Sequence, residues 1–198
     1  MPHEVSADAR RTPSVYNVAN ALTLLRLLLI PVFAWCVVES AFVSQTWRMA
    51  AAGVFALASA TDVVDGWLAR RHGLVTAFGK VADPIADKAL TGTALILLSL
   101  AGQVPWWATA LILFREIGVT VLRFWVIRFG VIAASHGGKL KTALQVAAIF
   151  WYLWPWPAPV ADAAPWLMGA AVLATVVTGA EYVIQVIRIR HRGDRRSD

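Results

Sequence analysis

Residues 61–90 read TDVVDGWLARRHGLVTAFGKVADPIADKAL, and they set four carboxylates, Asp62, Asp65, Asp83 and Asp87, between two long apolar runs. Ionised groups in such surroundings are costly unless something neutralises them. The spacing is helical. Asp62 and Asp65 are three residues apart, and Gly79, Asp83 and Asp87 follow one another at intervals of four, so each set lines one helix face. The segment 71–76 between them is a short turn, which makes the two helices antiparallel and lets both acidic faces meet at one depth.

Four carboxylates in one pocket repel one another unless cations neutralise them. Hard divalent ions that prefer oxygen ligands, Mg²⁺ or Mn²⁺, suit the set Asp62, Asp65, Asp83 and Asp87. Two such ions about 4 Å apart clamp a phosphate-bearing substrate. Gly66 and Ala69 share the Asp62 face and Gly79 shares that of Asp83, so a ligand can approach both backbones. Arg70 offers a fork for a phosphate oxygen. Taken singly, Asp62 and Asp65 fit a helix end at an interface, and Asp83 before Pro84 fits an N-cap. The joint spacing, with glycines between, is what points to a site.

The rest of the chain supplies the setting. At 59% hydrophobic residues and a mean hydropathy of +0.63, 198 residues lie outside the range of a soluble domain. Runs at 20–40, 46–70, 77–101, 105–129, 139–156 and 164–188 are each about long enough to cross a bilayer. The expectation is an all-α integral membrane protein with six transmembrane helices around a cytoplasm-facing polar cavity. One domain is expected over 13–190, with a disordered cytoplasmic N-terminus at 1–12 and a basic cytoplasmic tail at 191–198. The polar N-terminal residues show no short apolar core with a cleavage site, so the first apolar run reads as an anchor. The single cysteine, Cys36, excludes an intrachain disulfide and a thiolate metal site.

Basic residues orient the spans. With a cytoplasmic N-terminus, the inner segments hold Arg10, Arg11, Arg70, Arg71, Lys80, Arg128, Lys139, Lys141 and the arginines from Arg188 onward, whereas the outer loops hold Arg48. Both termini are therefore expected in the cytoplasm. Trp47, Trp106, Trp107, Trp154, Trp156 and Trp166 fall at the outer ends, where amphipathic rings are favoured. The net charge of +6 then reflects topology and anionic lipid, not nucleic acid.

Asp62-Val-Val-Asp65-Gly66-Trp-Leu-Ala69-Arg70, followed by Gly79, Asp83 and Asp87, resembles the full signature of the CDP-alcohol phosphatidyltransferase family, with no departure at a defining position. Three further segments resemble the bacterial branch that makes phosphatidylglycerophosphate. They are Asn20-Ala-Leu-Thr23-Leu-Leu-Arg26, Phe114-Arg115-Glu116 through Arg123, and Gly138-Lys139-Leu-Lys141-Thr142-Ala-Leu-Gln145. The resemblance runs from about residue 15 to 150. It implies a six-helix homodimer in a bacterial-type inner membrane, joining CDP-diacylglycerol to an alcohol with release of CMP. By the same resemblance Asp62, Asp65 and Asp83 would be metal ligands, with Asp87 a further ligand and the general base. Asp62, Asp65, Gly66, Ala69, Arg70 and Gly79 would contact the CDP moiety.

The acceptor is expected to be sn-glycerol 3-phosphate, whose dianionic head requires several converging donors. Arg115 and Arg123 share a face of the fourth helix, and Lys139 and Lys141 flank the start of the fifth. The alternative for these lysines is topology alone, and for the arginines pairing with Glu116 or Glu181. Arg26 and Glu181 read as groups near a cytoplasmic end or paired with an opposite charge. His72 and His136 read as solvated surface. Competing functions are a cardiolipin synthase with phosphatidylglycerol as acceptor, a phosphatidylinositol phosphate synthase and, from another class, a small transporter.

Overall fold

The computed structural model describes residues 18–72, 76–126 and 136–194. They form six helices: α1 Val18–Ser40, α2 Gln45–His72, α3 Ala77–Leu100, α4 Trp106–Val126, α5 His136–Leu153 and α6 Ala164–Asp194. A short 3₁₀ turn, Val160–Ala163, precedes α6. No strand occurs among the described residues. The all-helical reading therefore holds. α6 continues to Asp194, into the stretch expected to be tail, while 1–12 lies outside the described residues.

Among the described residues, three helices are long and apolar enough to cross a membrane, over Asn20–Ser40, Gln45–Leu68 and Val160–Gln185. The sequence reading had six such segments. α3 holds Asp83, Asp87 and Lys88, and α4 holds Arg115 and Glu116, while α5 is 18 residues long. The charges that build the site are the same ones that lower the hydropathy of α3 and α4.

Local chemistry closes the turns. Ser40 ends α1: its hydroxyl donates to the Val37 carbonyl at 2.7 Å and accepts from the Phe42 N–H at 3.2 Å. Ala41 and Phe42 then take left-handed backbone angles, φ 42° and 55°, and reverse the chain into α2. Between α3 and α4 the left-handed position is Gly102, φ +70°, where the missing Cβ removes the penalty. The Gln103 N–H returns to the Leu98 carbonyl at 2.8 Å.

The apolar core occupies one end of the bundle. Phe33, Phe55, Leu95, Leu98, Ile112, Ile149 and Leu153 are fully buried there, with the Phe33 and Phe55 rings 5.6 Å apart. In lipid this packing gains contact rather than release from water, so small interface residues matter. Ala52, Ala58, Ala94, Ala148 and Ala171 are all completely buried between helices. Large apolar side chains such as Leu28, Trp35, Phe114, Trp166 and Leu173 point outward. Arg48 stitches this end together, donating to the carbonyls of Tyr152 at 3.0 Å, Trp154 at 3.2 Å and Leu153 at 3.3 Å. It thereby satisfies the otherwise orphaned C-terminus of α5. The polar residues of α1, α2 and α3 gather at the opposite end.

Candidate active site

The site begins with α1, whose Asn20, Thr23 and Arg26 recur every three residues on an otherwise apolar helix. Each reaches a different part of the acidic pair of helices. Arg26 is completely buried, and its Nη1 donates to Asp62 Oδ1 at 2.7 Å while its Nη2 donates to Asp65 Oδ2. Its Nε faces Thr61 Oγ1 at 3.5 Å. The Thr23 hydroxyl donates to Asp83 Oδ1. Asn20 Oδ1 accepts from the Thr76 hydroxyl at 3.0 Å, and Thr76 Oγ1 in turn caps α3 by accepting the Gly79 N–H at 3.0 Å.

That close crossing gives Gly79 its reason. A Cβ there would stand 3.1 Å from Asn20 Oδ1, 3.3 Å from Thr76 Oγ1 and 3.6 Å from Asp83 Oδ2. Sequence reasoning reserved this space for a ligand, and α1 shares it. Gly66 lies one position beyond Asp65 on α2 and is half-buried. Ala69, Arg70 and Arg123 lie in α2 and α4, but their side chains, like those of His72 and His136, fall outside the described residues.

Three aspartates are thus tied to α1, and the fourth is not. Asp87 accepts no hydrogen bond from the described residues and lines the main cavity with Asp62 and Arg26. The four still form one electrostatic group: Asp65 feels the charges of Arg26, Asp62 and Asp83, and Asp87 those of Asp62, Arg26 and Glu116. As the side chains stand, no three acidic, histidine or cysteine groups among the described residues converge on one point. A guanidinium lies between two of them instead.

The cavity, about 870 Å³, is lined by both acidic and basic groups. Arg115, Lys139 and Lys141, three of the four residues expected to hold an acceptor phosphate, line it together with Asp62 and Asp87. Glu116 organises them: it accepts from Arg115 Nη1 at 3.1 Å and pairs with Lys141. Arg115 Nη2 also donates to Thr178 Oγ1 at 3.0 Å, and its Nε is buried without a partner. α6 makes room for this arginine at Gly179, where a Cβ would meet Arg115 Cγ at 3.2 Å. Glu181 lines the cavity and forms no ion pair among the described residues.

Sequence reasoning missed several of these groups. Thr23 received no role, and on α6 only Glu181 was singled out, as a group near a cytoplasmic end or a partner for an arginine, yet Thr178 and Tyr182 line the cavity with it. The Tyr182 hydroxyl is buried there without a partner, as is Gln145 Nε2 beside a neighbouring cavity of about 210 Å³ that Asp87, Glu116 and Lys141 share. For α1 the signal was present in the three-residue spacing of polar groups. For α6 the one signal was Glu181, because a lone tyrosine or threonine in an apolar helix is ordinary.

Comparison with known proteins was made against this geometry. The family model for CDP-alcohol phosphatidyltransferase matches residues 16–178. A probable phosphatidylglycerophosphate synthase of Mycobacterium tuberculosis (strain H37Rv) is 51% identical over 174 residues, covering 88% of this chain and 83% of the relative. The CDP-diacylglycerol–glycerol-3-phosphate 3-phosphatidyltransferase of Bacillus subtilis (strain 168) is 40% identical over 184 residues, covering 85% of this chain and 94% of the relative. Its Escherichia coli K12 namesake is 40% identical over 146 residues, covering 70% and 78%. The chain thus matches one set of proteins along most of their lengths, and it is an enzyme that belongs to the CDP-alcohol phosphatidyltransferase family.

Proposed function

We propose that the protein transfers the phosphatidyl group of CDP-diacylglycerol to sn-glycerol 3-phosphate, giving phosphatidylglycerophosphate and CMP. The observation that carries this reading is one cavity lined by Asp62 and Asp87 together with Arg115, Lys139 and Lys141. The names of the Bacillus subtilis and Escherichia coli relatives agree with it.

The residues present suit divalent ions. The donor set is all oxygen and all carboxylate, held on two neighbouring helices, which fits Mg²⁺ or Mn²⁺. Asp62, Asp65, Asp83 and Asp87 would hold them, and two ions would neutralise the pyrophosphate and stabilise departing CMP. Gly66, Ala69, Arg70 and Gly79 supply the contacts to the CDP moiety. Arg115, Arg123, Lys139 and Lys141 grip the acceptor phosphate, with Glu116 fixing the first and last of these in position. Asp87, which accepts no hydrogen bond from the described residues, takes the proton from the acceptor hydroxyl. The hydroxyl oxygen bonds to the phosphorus that carries diacylglycerol, and the bond from that phosphorus to the CMP oxygen breaks.

The reading includes six spans, both termini in the cytoplasm of a bacterial-type inner membrane, a cavity open to that side, and a homodimer. The crowding of Trp47, Trp106 and Trp166 at the end away from the aspartates supports the orientation. Phe114, Ile117 and Val121 form an exposed apolar stripe on α4 that suits lipid or a second copy.

The deciding experiment supplies purified protein with CDP-diacylglycerol, Mg²⁺ and each acceptor in turn. Glycerol 3-phosphate should be used well, with stoichiometric CMP release, and phosphatidylglycerol poorly, because a monoanionic lipid has less use for this much positive charge. Formation of cardiolipin, or use of an inositol phosphate, without turnover of glycerol 3-phosphate overturns the acceptor assignment and leaves the acidic site standing.

A further inference from the structure

A guanidinium commonly forks onto one carboxylate, because its two N–H vectors match the two oxygens. Arg26 is divided instead. Its Nη1 goes to Asp62 and its Nη2 to Asp65, two residues three apart on α2 that both belong to the candidate metal-ligand set. The guanidinium is fully buried and Asp65 is 3% exposed, so each depends on the other: removing one partner of such a pair leaves a buried charge uncompensated. Arg26 also lines the main cavity. Its positive charge therefore sits where a cation bridging Asp62 and Asp65 would put its own.

We infer that Arg26 is an internal counter-ion that holds Asp62 and Asp65 in place and competes with divalent ions for their oxygens. The guanidinium engages one oxygen of each carboxylate, so an ion that takes both oxygens of either must displace it, and one that takes the others sits beside its charge. This inference rests on the reading of Asp62 and Asp65 as metal ligands. Thr23, which contributes no charge, holds Asp83 from the same helix, so α1 assembles the acidic wall and Arg26 alone adds the cation.

The role has a sign that separates it from ordinary support. Contacts that merely orient metal ligands raise affinity, and losing one costs roughly 10- to 100-fold. A competing cation does the reverse. Like charges sharing the same ligands repel strongly in a partly dehydrated site, so removing Arg26 should tighten ion binding even as it loosens the protein.

The experiment measures Mn²⁺ binding by calorimetry or spin resonance, and thermal unfolding with and without Mn²⁺, on the detergent-purified full chain. Arg26→Gln should bind Mn²⁺ about tenfold more tightly than the original protein, a shift of about 1.4 kcal/mol. It should also unfold at a lower temperature in chelator and recover most of that loss on adding Mn²⁺. Arg26→Lys keeps the charge but holds one carboxylate at a time, so its affinity should rise by about threefold. That variant decides the matter if the glutamine protein does not fold. Affinity that stays the same or falls, or a loss of stability that Mn²⁺ does not repair, overturns the inference. Absence of Mn²⁺ binding by the original protein instead overturns the metal reading beneath it.

Discussion

Glu116 on α4 pairs with Lys141 on α5, and Lys141 is only 4% exposed at that contact. Since Glu116 also accepts from Arg115 at 3.1 Å, one carboxylate sets the position of two of the cations that line the cavity with Asp62 and Asp87. Glu116→Gln removes the charge that holds them while keeping the size of the side chain. The expected result is a rise of about tenfold in the KM for glycerol 3-phosphate, equivalent to about 1.4 kcal/mol, with CDP-diacylglycerol binding nearly unchanged. Steady-state kinetics with each substrate varied separately checks this.

Arg115→Ala should act more strongly in the same direction, because it removes the donor itself and leaves Thr178 and Glu116 without it. A charge-assisted contact of this type is worth about 1.5–3 kcal/mol, so the acceptor requirement should rise by roughly 10- to 100-fold. An equal loss of CDP-diacylglycerol affinity would show that Arg115 serves the nucleotide side.

Asp87→Asn should lower the chemical step by about 10²- to 10⁴-fold, the usual worth of a general base. Nucleotide binding should change far less. Asp87 is the one aspartate of the four that takes no hydrogen bond from the described residues, so its replacement disturbs no contact of α1. Comparing CMP affinity with turnover in the variant tests the point. A parallel collapse of both would make Asp87 chiefly a ligand.

Activity should vanish in excess chelator and return with Mg²⁺ or Mn²⁺. Asp62→Asn and Asp83→Asn should each abolish turnover while the protein still elutes as a folded species from size exclusion in detergent. Appreciable turnover in chelator contradicts the donor assignment.

Arg48→Ala tests the opposite end of the bundle. It deletes three donors to the carbonyls that end α5 and should cost about 2 kcal/mol of stability. The melting temperature should fall with kcat nearly unchanged, since Arg48 does not line the cavity that holds Asp62, Asp87 and Arg115.

Much of this protein can be read from local order. The three- and four-residue intervals of the aspartates determine that each pair shares a helix face, whatever the helix packs against. Length and apolarity determine the helices themselves; Gly102 falls at the left-handed turn after α3, whereas Pro84 lies inside α3, where it removes one backbone N–H. Of the four charged positions of α3 and α4 that line the cavity, Asp87, Arg115 and Glu116 were recognisable as exceptional from their apolar neighbours, and Lys88 was not singled out.

Partners across helices were a different matter. Glu116 had Arg115, Arg123 and two lysines within plausible reach along the sequence, and nothing in the periodicity favours Lys141 over the others. Arg26 had an opposite charge to find, but its division between Asp62 and Asp65 arises only once α1 packs against α2. The spacing of residues on one helix follows from its 3.6-residue turn and is fixed within a few residues of chain. Which faces meet, and at what height, is decided by the packing of Phe33, Phe55, Leu98 and Ile149 in the buried core. That packing is set by side-chain shapes from four helices together, so the site's faces were determined by the sequence locally and its ion pairs only by the tertiary structure.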